Sequence, residues 1–141
     1  MKKSIFFILI ICSGLSCKKN ADKNCNLDTA SVAGSYKVTS IRYKATATSS
    51  ETDYYNQFFT DVCERDDIMT LNANGSATFT DAGIKCTPPG DDTSTWSLSG
   101  NTITIDGGPA HVDSFNCSSI TISENDVYAT GDHLTFVLTR Q

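Results

Sequence analysis

Apolar residues recur at every second position along most of this chain, and that period constrains the fold more than any other feature. Trp96 and Leu98 alternate with polar residues, and Ile103 and Ile105 resume the alternation after a Gly-Asn turn. Alternation of this kind indicates strands that bury one face. The stretches SITIS and HLTFVLTR repeat the pattern further along the chain.

Turn signals separate these stretches into many short strands. Asn74-Gly75 is a strong two-residue hairpin signal. The first long strand, 35–47, changes its apolar phase near Thr39–Ser40, where we expect a β-bulge. The sequence therefore predicts an all-β domain, an antiparallel meander of about eight short strands that forms a barrel or a sandwich.

One segment between the first two strands has a helical period. Its apolar side chains follow the spacing i, i+3, i+4, i+7, and they are Tyr55, Phe58, Phe59 and Val62. Ser50 and Asp53 resemble a capping box at its start. We therefore expect a short amphipathic helix within 49–62, and its apolar face should cover an open end of the strands.

The N-terminus has the layout of a signal peptide. Lys2 and Lys3 precede the apolar run 5–11, and small residues follow it. This run is far shorter than the ~20 residues that a membrane-spanning helix needs. Ser16 is followed at once by Cys17, and this stretch resembles the lipobox of bacterial lipoproteins.

That resemblance implies cleavage after residue 16 and acylation of Cys17. Residues 1–16 would be the signal peptide, 17–29 a lipid-anchored tether and 30–141 the folded domain. Asp28 is an N-cap candidate for one helical turn at the end of the tether. The alternative is ordinary cleavage nearby, which would leave a soluble periplasmic protein.

Four cysteines remain in the mature chain, and an even number in an exported protein indicates two disulfides. They are Cys25, Cys63, Cys86 and Cys117. Three connectivities are open, and we favour Cys63–Cys86, which flanks one hairpin-like stretch, with Cys25–Cys117. Structural zinc sites use cysteine pairs two to four residues apart, so these wide spacings argue against metal.

Composition and motifs argue against nucleic-acid binding and catalysis. Without Lys2 and Lys3, 9 basic and 16 acidic residues remain, so the mature chain is acidic and a poor partner for nucleic acid. The sequence has no Gly-x-Ser-x-Gly elbow, HExxH or phosphate-binding glycine loop. His111, His133 and the acidic stretch 61–67 are interpreted as solvated surface. We expect no enzyme activity, no cofactor and no metal.

The ordered motifs between residues 30 and 140 resemble the lipocalin-like lipoproteins of Bacteroidetes. They include Gly34-Ser-Tyr36, Cys63 followed by Asp66-Asp67-Ile68, Asn72-Ala-Asn-Gly75, Cys86 and Trp96-Ser-Leu-Ser-Gly100. The resemblance implies a small calycin-type barrel. It also implies a structural pair in which Arg140 packs on the ring of Tyr36, at the position where lipocalins carry a tryptophan.

The resemblance suggests a lipid-anchored protein of the outer membrane that carries a small apolar ligand. Tyr55, Phe58 and Phe59 would gate the barrel, and Trp96 and Phe136 would line it. The helix could instead plug a filled core, and the short chain favours that interpretation. The alternative function is then a ligand-free scaffold that docks to an envelope protein.

Overall fold

The computed structural model describes residues 25–141, so the predicted signal peptide, Cys17 and most of the tether lie outside it. The helices are α1 (Thr29–Val32), α2 (Tyr55–Phe58) and a 3₁₀ helix (Val62–Asp66). The strands are β1 (Gly34–Lys44), β2 (Thr52–Asp53), β3 (Ile68–Leu71), β4 (Ser76–Thr80), β5 (Asp92–Ser99), β6 (Thr102–Ile105), β7 (Gly108–Phe115), β8 (Ser119–Asn125) and β9 (His133–Arg140). Within the described part of the chain, no helix is long and apolar enough to cross a membrane.

Strand β1 closes the sheet into a barrel because both of its edges are paired. Along one edge it pairs antiparallel with β9 from residue 36 to residue 44. Along the other edge, 34–36 pair with β3 and 42–43 pair with β2. Strands β3 to β9 follow one another as antiparallel neighbours, which completes the ring. The predicted small antiparallel barrel is confirmed, with β2 as a further short strand on the edge of β1.

Local sequence signals position the strands as expected. The register between β1 and β9 shifts between Val38 and Ser40, which is the predicted bulge. Gly75 turns the β3–β4 hairpin with a φ of 87°, and Gly100 turns the β5–β6 hairpin with a φ of 57°. Both dihedrals lie in the left-handed region, where glycine has no steric penalty.

The predicted helix over 49–62 is wrong in its length. Asp53 lies in β2 opposite Arg42, and its carboxylate accepts the amide of Tyr55. Residues 52–53 are therefore extended, and Ser50 cannot start a helix through a capping box. Helix α2 comprises only Tyr55–Phe58, and a separate 3₁₀ helix follows at Val62–Asp66. Pairing with the edge of β1 overrides the helical periodicity here.

Both favoured disulfides are present in the structure. Cys25 is bonded to Cys117, which ties the N-terminal segment to the turn before β8. Cys63 is bonded to Cys86, which ties the 3₁₀ helix to the loop between β4 and β5. Leu27 packs against the core, so the chain is already part of the folded domain before α1 begins.

Helix α1 and the last strand, β9, both contact the buried side chain of Tyr36. Asp28 caps α1 by accepting the amide of Ser31 at 2.7 Å, and this bond lowers the pKa of the Asp28 carboxyl. Tyr36 is fully buried, and its hydroxyl donates to the carbonyl oxygen of Val32 at 2.6 Å. The guanidinium of Arg140 lies 5.3 Å from the Tyr36 ring centroid and donates to its hydroxyl oxygen at 2.7 Å.

Removing the Tyr36 hydroxyl should destabilise the barrel. We expect Tyr36→Phe to lower the free energy of unfolding by about 1–3 kcal/mol, because a buried carbonyl and a buried guanidinium lose a partner. Urea unfolding is the measurement. Tyr128→Phe is the matched control because that ring is 56% exposed, and it should change stability little. Equal stability of the Tyr36→Phe variant would show that this cluster does not hold the end of the barrel.

Candidate functional site

The barrel encloses a cavity of about 300 Å³ that opens beside α2. Most of its wall is apolar, and the apolar lining residues are Tyr36, Val38, Phe58, Phe59, Ile68, Met69, Phe79, Ile105, Ile122, Phe136 and Leu138. The polar lining residues are Glu64, Arg65, Asp67 and Glu124. The expectation that side chains fill the barrel completely is therefore not met.

Strand periodicity explains why the wall is apolar. Tyr36 and Val38 lie two positions apart on β1, and Phe136 and Leu138 do the same on β9. Residues two apart on a strand point to the same face, which here is the inside of the barrel. The residues below the cavity, such as Leu71 and Ile103, are buried and form the packed part of the core.

Three phenylalanines form the mouth of the cavity. The ring of Phe58 lies 5.1 Å from that of Phe59 and 5.3 Å from that of Phe136, and both pairs pack edge to face. Edge-to-face packing is a favourable arrangement of aromatic rings. Phe58 is nevertheless 41% exposed, so it lies between the cavity and solvent. The mouth is therefore an apolar contact that can open without breaking a hydrogen bond of this side chain.

Tyr55 fastens α2 to the barrel. Its hydroxyl lies 3.0 Å from the carbonyl oxygen of Arg65 and 3.3 Å from that of Val38, so its proton is shared between the two acceptors. Burial raises the pKa of the Tyr55 hydroxyl, which keeps it a donor. Its ring also packs edge to face on Phe59. Tyr55 does not line the cavity, although the sequence predicted it as a gate residue.

Arg65 fixes the other end of the same segment. Its Nε and Nη2 atoms donate to the carbonyl oxygen of Phe59 at 3.2 and 3.1 Å. That carbonyl follows the last residue of α2, where helix carbonyls lack partners within the helix. The guanidinium therefore stops the helix and places Phe59 over the cavity. We call residues 54–66 the lid: the Tyr55 hydroxyl ties it to β1, and the Arg65–Phe59 hydrogen bonds hold it together internally.

The loop between β4 and β5 supports the lid from outside. The carboxylates of Asp66 and Asp67 accept the amides of Ile84 and Ala82 at 2.8 and 3.2 Å. Burial raises the pKa of the Asp67 carboxyl, and neighbouring carboxylates raise it further, against the effect of the Ala82 amide. The acidic stretch 61–67 thus organises a loop as well as meeting solvent. No cluster of three metal-ligating side chains occurs within 25–141.

Only some of the residues that the sequence predicted as cavity lining do line the cavity. Phe58, Phe59 and Phe136 line the cavity, whereas Trp96 does not. Trp96 is 4% exposed, and its indole nitrogen donates to the carbonyl oxygen of Asn72 at 2.7 Å. It is a core residue beneath the β3–β4 turn, so its assignment to the lining is wrong. The alternation of Trp96 with Leu98 predicts that Trp96 is buried, but it does not indicate at which end of the barrel Trp96 lies.

A second aromatic cluster lies at the end of β1 and was not expected from the sequence. The rings of Tyr43, Tyr54 and Tyr128 lie 5.3 to 5.9 Å apart. The buried carboxylate of Asp132 accepts the Tyr43 hydroxyl and three amides of the β8–β9 loop. Burial would raise the pKa of Asp132, but these hydrogen bonds outweigh it and lower that pKa. The cluster therefore holds a loop and packs on itself.

Within the described residues, neither histidine belongs to an arrangement of side chains typical of a catalytic site. His111 lies on β7 with its Nδ1 atom 3.1 Å from Asp113, and it is exposed. His133 begins β9 with its Nδ1 atom 2.8 Å from the side-chain oxygen of Asn125. Neither residue lines the cavity.

Loss of the Tyr55 hydroxyl should loosen the lid. We expect Tyr55→Phe to speed amide hydrogen exchange across residues 55–66, because two carbonyls lose their shared donor. Amides of β7 and β8 are the internal control and should exchange at their original rates. Unchanged exchange in the lid would mean that ring packing and Arg65 suffice to hold it.

The family model described as a lipocalin-like domain matches residues 32–136, which extend from the end of α1 into β9. No curated protein matches the sequence.

Proposed function

Because the chain belongs to the lipocalin-like domain family, we propose that it binds or carries a small apolar ligand inside its barrel. The observation that supports this proposal best is the apolar cavity of about 300 Å³ behind Phe58. Ligand sites in proteins are concave, mostly apolar and ~300–1,000 Å³ in volume. This cavity is at the small end of that range, so a compact or slender molecule fits it best.

The structure of the lid supports a gating role for Phe58 and Phe59. Both side chains line the cavity, and Phe58 is partly exposed at its mouth. Tyr55 and Arg65 hold the lid backbone by hydrogen bonds. The ring of Phe58 packs on Phe136 of the barrel, and the ring of Phe59 packs on Tyr55 and Phe58. Ligand entry would then require rotation of the phenylalanine side chains, with the lid backbone in place. The lipocalin-like fold is typically a binding fold without enzyme activity, and we propose a carrier for this chain also.

We also propose that the barrel is lipid-anchored through Cys17 in the cell envelope. The apolar run 5–11 and the small residue before Cys17 support this location. The two disulfides within 25–141 support it independently, because disulfides persist in oxidising compartments outside the cytosol.

A second candidate function is docking to an envelope protein. Val62 and Ile84 are each 58% exposed, and they lie on the 3₁₀ helix and on the loop that supports it. Exposed apolar side chains on neighbouring elements are suited to a protein contact. The cavity has no role in this function, so a barrel that binds no apolar ligand would favour it.

Filling the cavity should abolish ligand binding. We expect wild-type protein to bind decanol in isothermal titration calorimetry and Val38→Phe to bind it at least about tenfold more weakly, because the added ring occupies the cavity. Val127→Phe is the matched control, since Val127 is exposed and lies outside the cavity. Circular dichroism checks that both variants are folded. Equal decanol binding by folded Val38→Phe and wild type would contradict a ligand site in the barrel.

Substitution of Cys17 should release the protein from the membrane. We expect Cys17→Ala to appear in the soluble fraction, and we expect the mature wild type to carry acyl mass on residue 17 as its first residue. Intact mass spectrometry and membrane fractionation are the measurements. Wild-type protein without acyl mass on Cys17 would contradict the anchor but would not affect the ligand proposal.

A further inference from the structure

The polar part of the cavity wall carries an excess of negative charge. Glu64 and Asp67 approach from the lid side, and Glu124 approaches from the end of β8 on the barrel. Arg65 is the one cationic side chain in the lining. Three carboxylates therefore share the wall with a single guanidinium. Two of them lie on the 3₁₀ helix and its C-terminal cap, and the third lies on β8.

Arg65 does not neutralise these carboxylates directly. Its guanidinium donates to the neutral carbonyl oxygen of Phe59. The ion pairs within residues 25–141 are Lys44–Glu51 and His111–Asp113, and neither touches the cavity. The carboxylates of the wall are thus left without a cationic partner in this part of the chain.

Of the three carboxylates, Glu124 indicates most clearly where the negative charge lies in the barrel. It continues the alternation of Ile120 and Ile122 on β8, so it lies at an inward-facing position of the barrel. Glu64 and Glu124 are both half-buried, so each carboxylate lines the cavity and still reaches solvent. Of the three carboxylates, Asp67 accepts the Ala82 amide, whereas no described residue donates a hydrogen bond to Glu64 or Glu124. Their oxygens are therefore available to a ligand.

We infer that the ligand is a cationic amphiphile, a molecule with an apolar body and an ammonium group at one end. This inference rests on the proposed ligand site and names the class of molecule it takes. The apolar body would occupy the cavity against Phe136 and Ile122, and the ammonium group would meet Glu64 and Glu124. Hydrogen bonds between charged partners are stronger than neutral ones. The excess of acidic over basic residues in the mature chain, 16 against 9, would also attract cations to the protein.

Three probes of equal chain length separate the effect of charge from that of apolar burial. Decylammonium, decanol and decanoate share a ten-carbon body and differ only in the charge of the end group. We expect decylammonium to bind wild-type protein about tenfold more tightly than decanol in calorimetry, and decanoate to bind more weakly than decanol. Higher salt should weaken decylammonium binding and leave decanol binding unchanged.

Charge-removing variants assign the effect to the cavity wall. In the double variant Glu64→Gln/Glu124→Gln, decylammonium should bind no more tightly than decanol, while decanol binding stays at the wild-type level. Glu51→Gln is the matched control, because it removes one carboxylate on the surface outside the cavity and should keep the preference for decylammonium. Val38→Phe should weaken decylammonium and decanol alike, which places the ammonium probe in the barrel.

The outcomes distinguish this inference from the proposed function. Decanol that binds as tightly as decylammonium, or decanoate that binds most tightly of the three, would overturn the inference and leave the ligand site intact. A preference for decylammonium that survives in Glu64→Gln/Glu124→Gln would also overturn it. If none of the three probes binds, both the ligand site and its charge preference are refuted.

Discussion

The pairing of β1 with β9 is the contact on which the rest of this structure depends. It joins the first strand to the last one over residues 36–44 and converts a meander into a closed ring. Closure removes the exposed sheet edges that would otherwise recruit other strands. It also creates an interior with two ends, one occupied by packed core residues and the other by the cavity. The Tyr36–Arg140 contact belongs to the same pair of strands and lies where they meet α1.

The second edge of β1 explains why the cavity has a lid. That edge pairs with β3 through 34–36 and with β2 through 42–43, and between these two stretches no described strand pairs with it. The lid occupies this gap, where the Tyr54 amide donates to the carbonyl oxygen of Ile41 and Tyr55 meets that of Val38. Hydrogen bonds to these backbone carbonyls of β1 thus determine where the lid lies. This position brings the lid phenylalanines to the cavity.

Most of the barrel could be predicted from the sequence because its signals are local. The alternation in β5 and β6, the bulge near Thr39 and the turns at Gly75 and Gly100 each depend on a few neighbouring residues. The positions of the four cysteines relative to those elements favoured one of the three possible disulfide connectivities. The length of α2 was not predictable in this way, since Asp53 pairs with a residue eleven positions earlier and ends the helical pattern. The inward position of Glu124 does follow from its phase with Ile122, but its role in a cavity wall requires the lid to be in place.

The attachments of the lid determine which part of it can move. Its C-terminal end carries the Cys63–Cys86 disulfide and the Asp66 carboxylate that holds the amide of Ile84, and the next residue, Asp67, holds the amide of Ala82. The loop on the far side of these contacts is itself fixed by buried Asp81, which accepts the amides of Cys86 and Gly90. Motion of Glu64 and Asp67 is therefore restrained, whereas Phe58 is held by ring contacts alone. If the barrel binds a ligand as proposed, a fixed acidic wall beside a movable apolar gate would let that ligand exchange while the charged part of the site keeps its geometry, which is the condition for preorganised recognition.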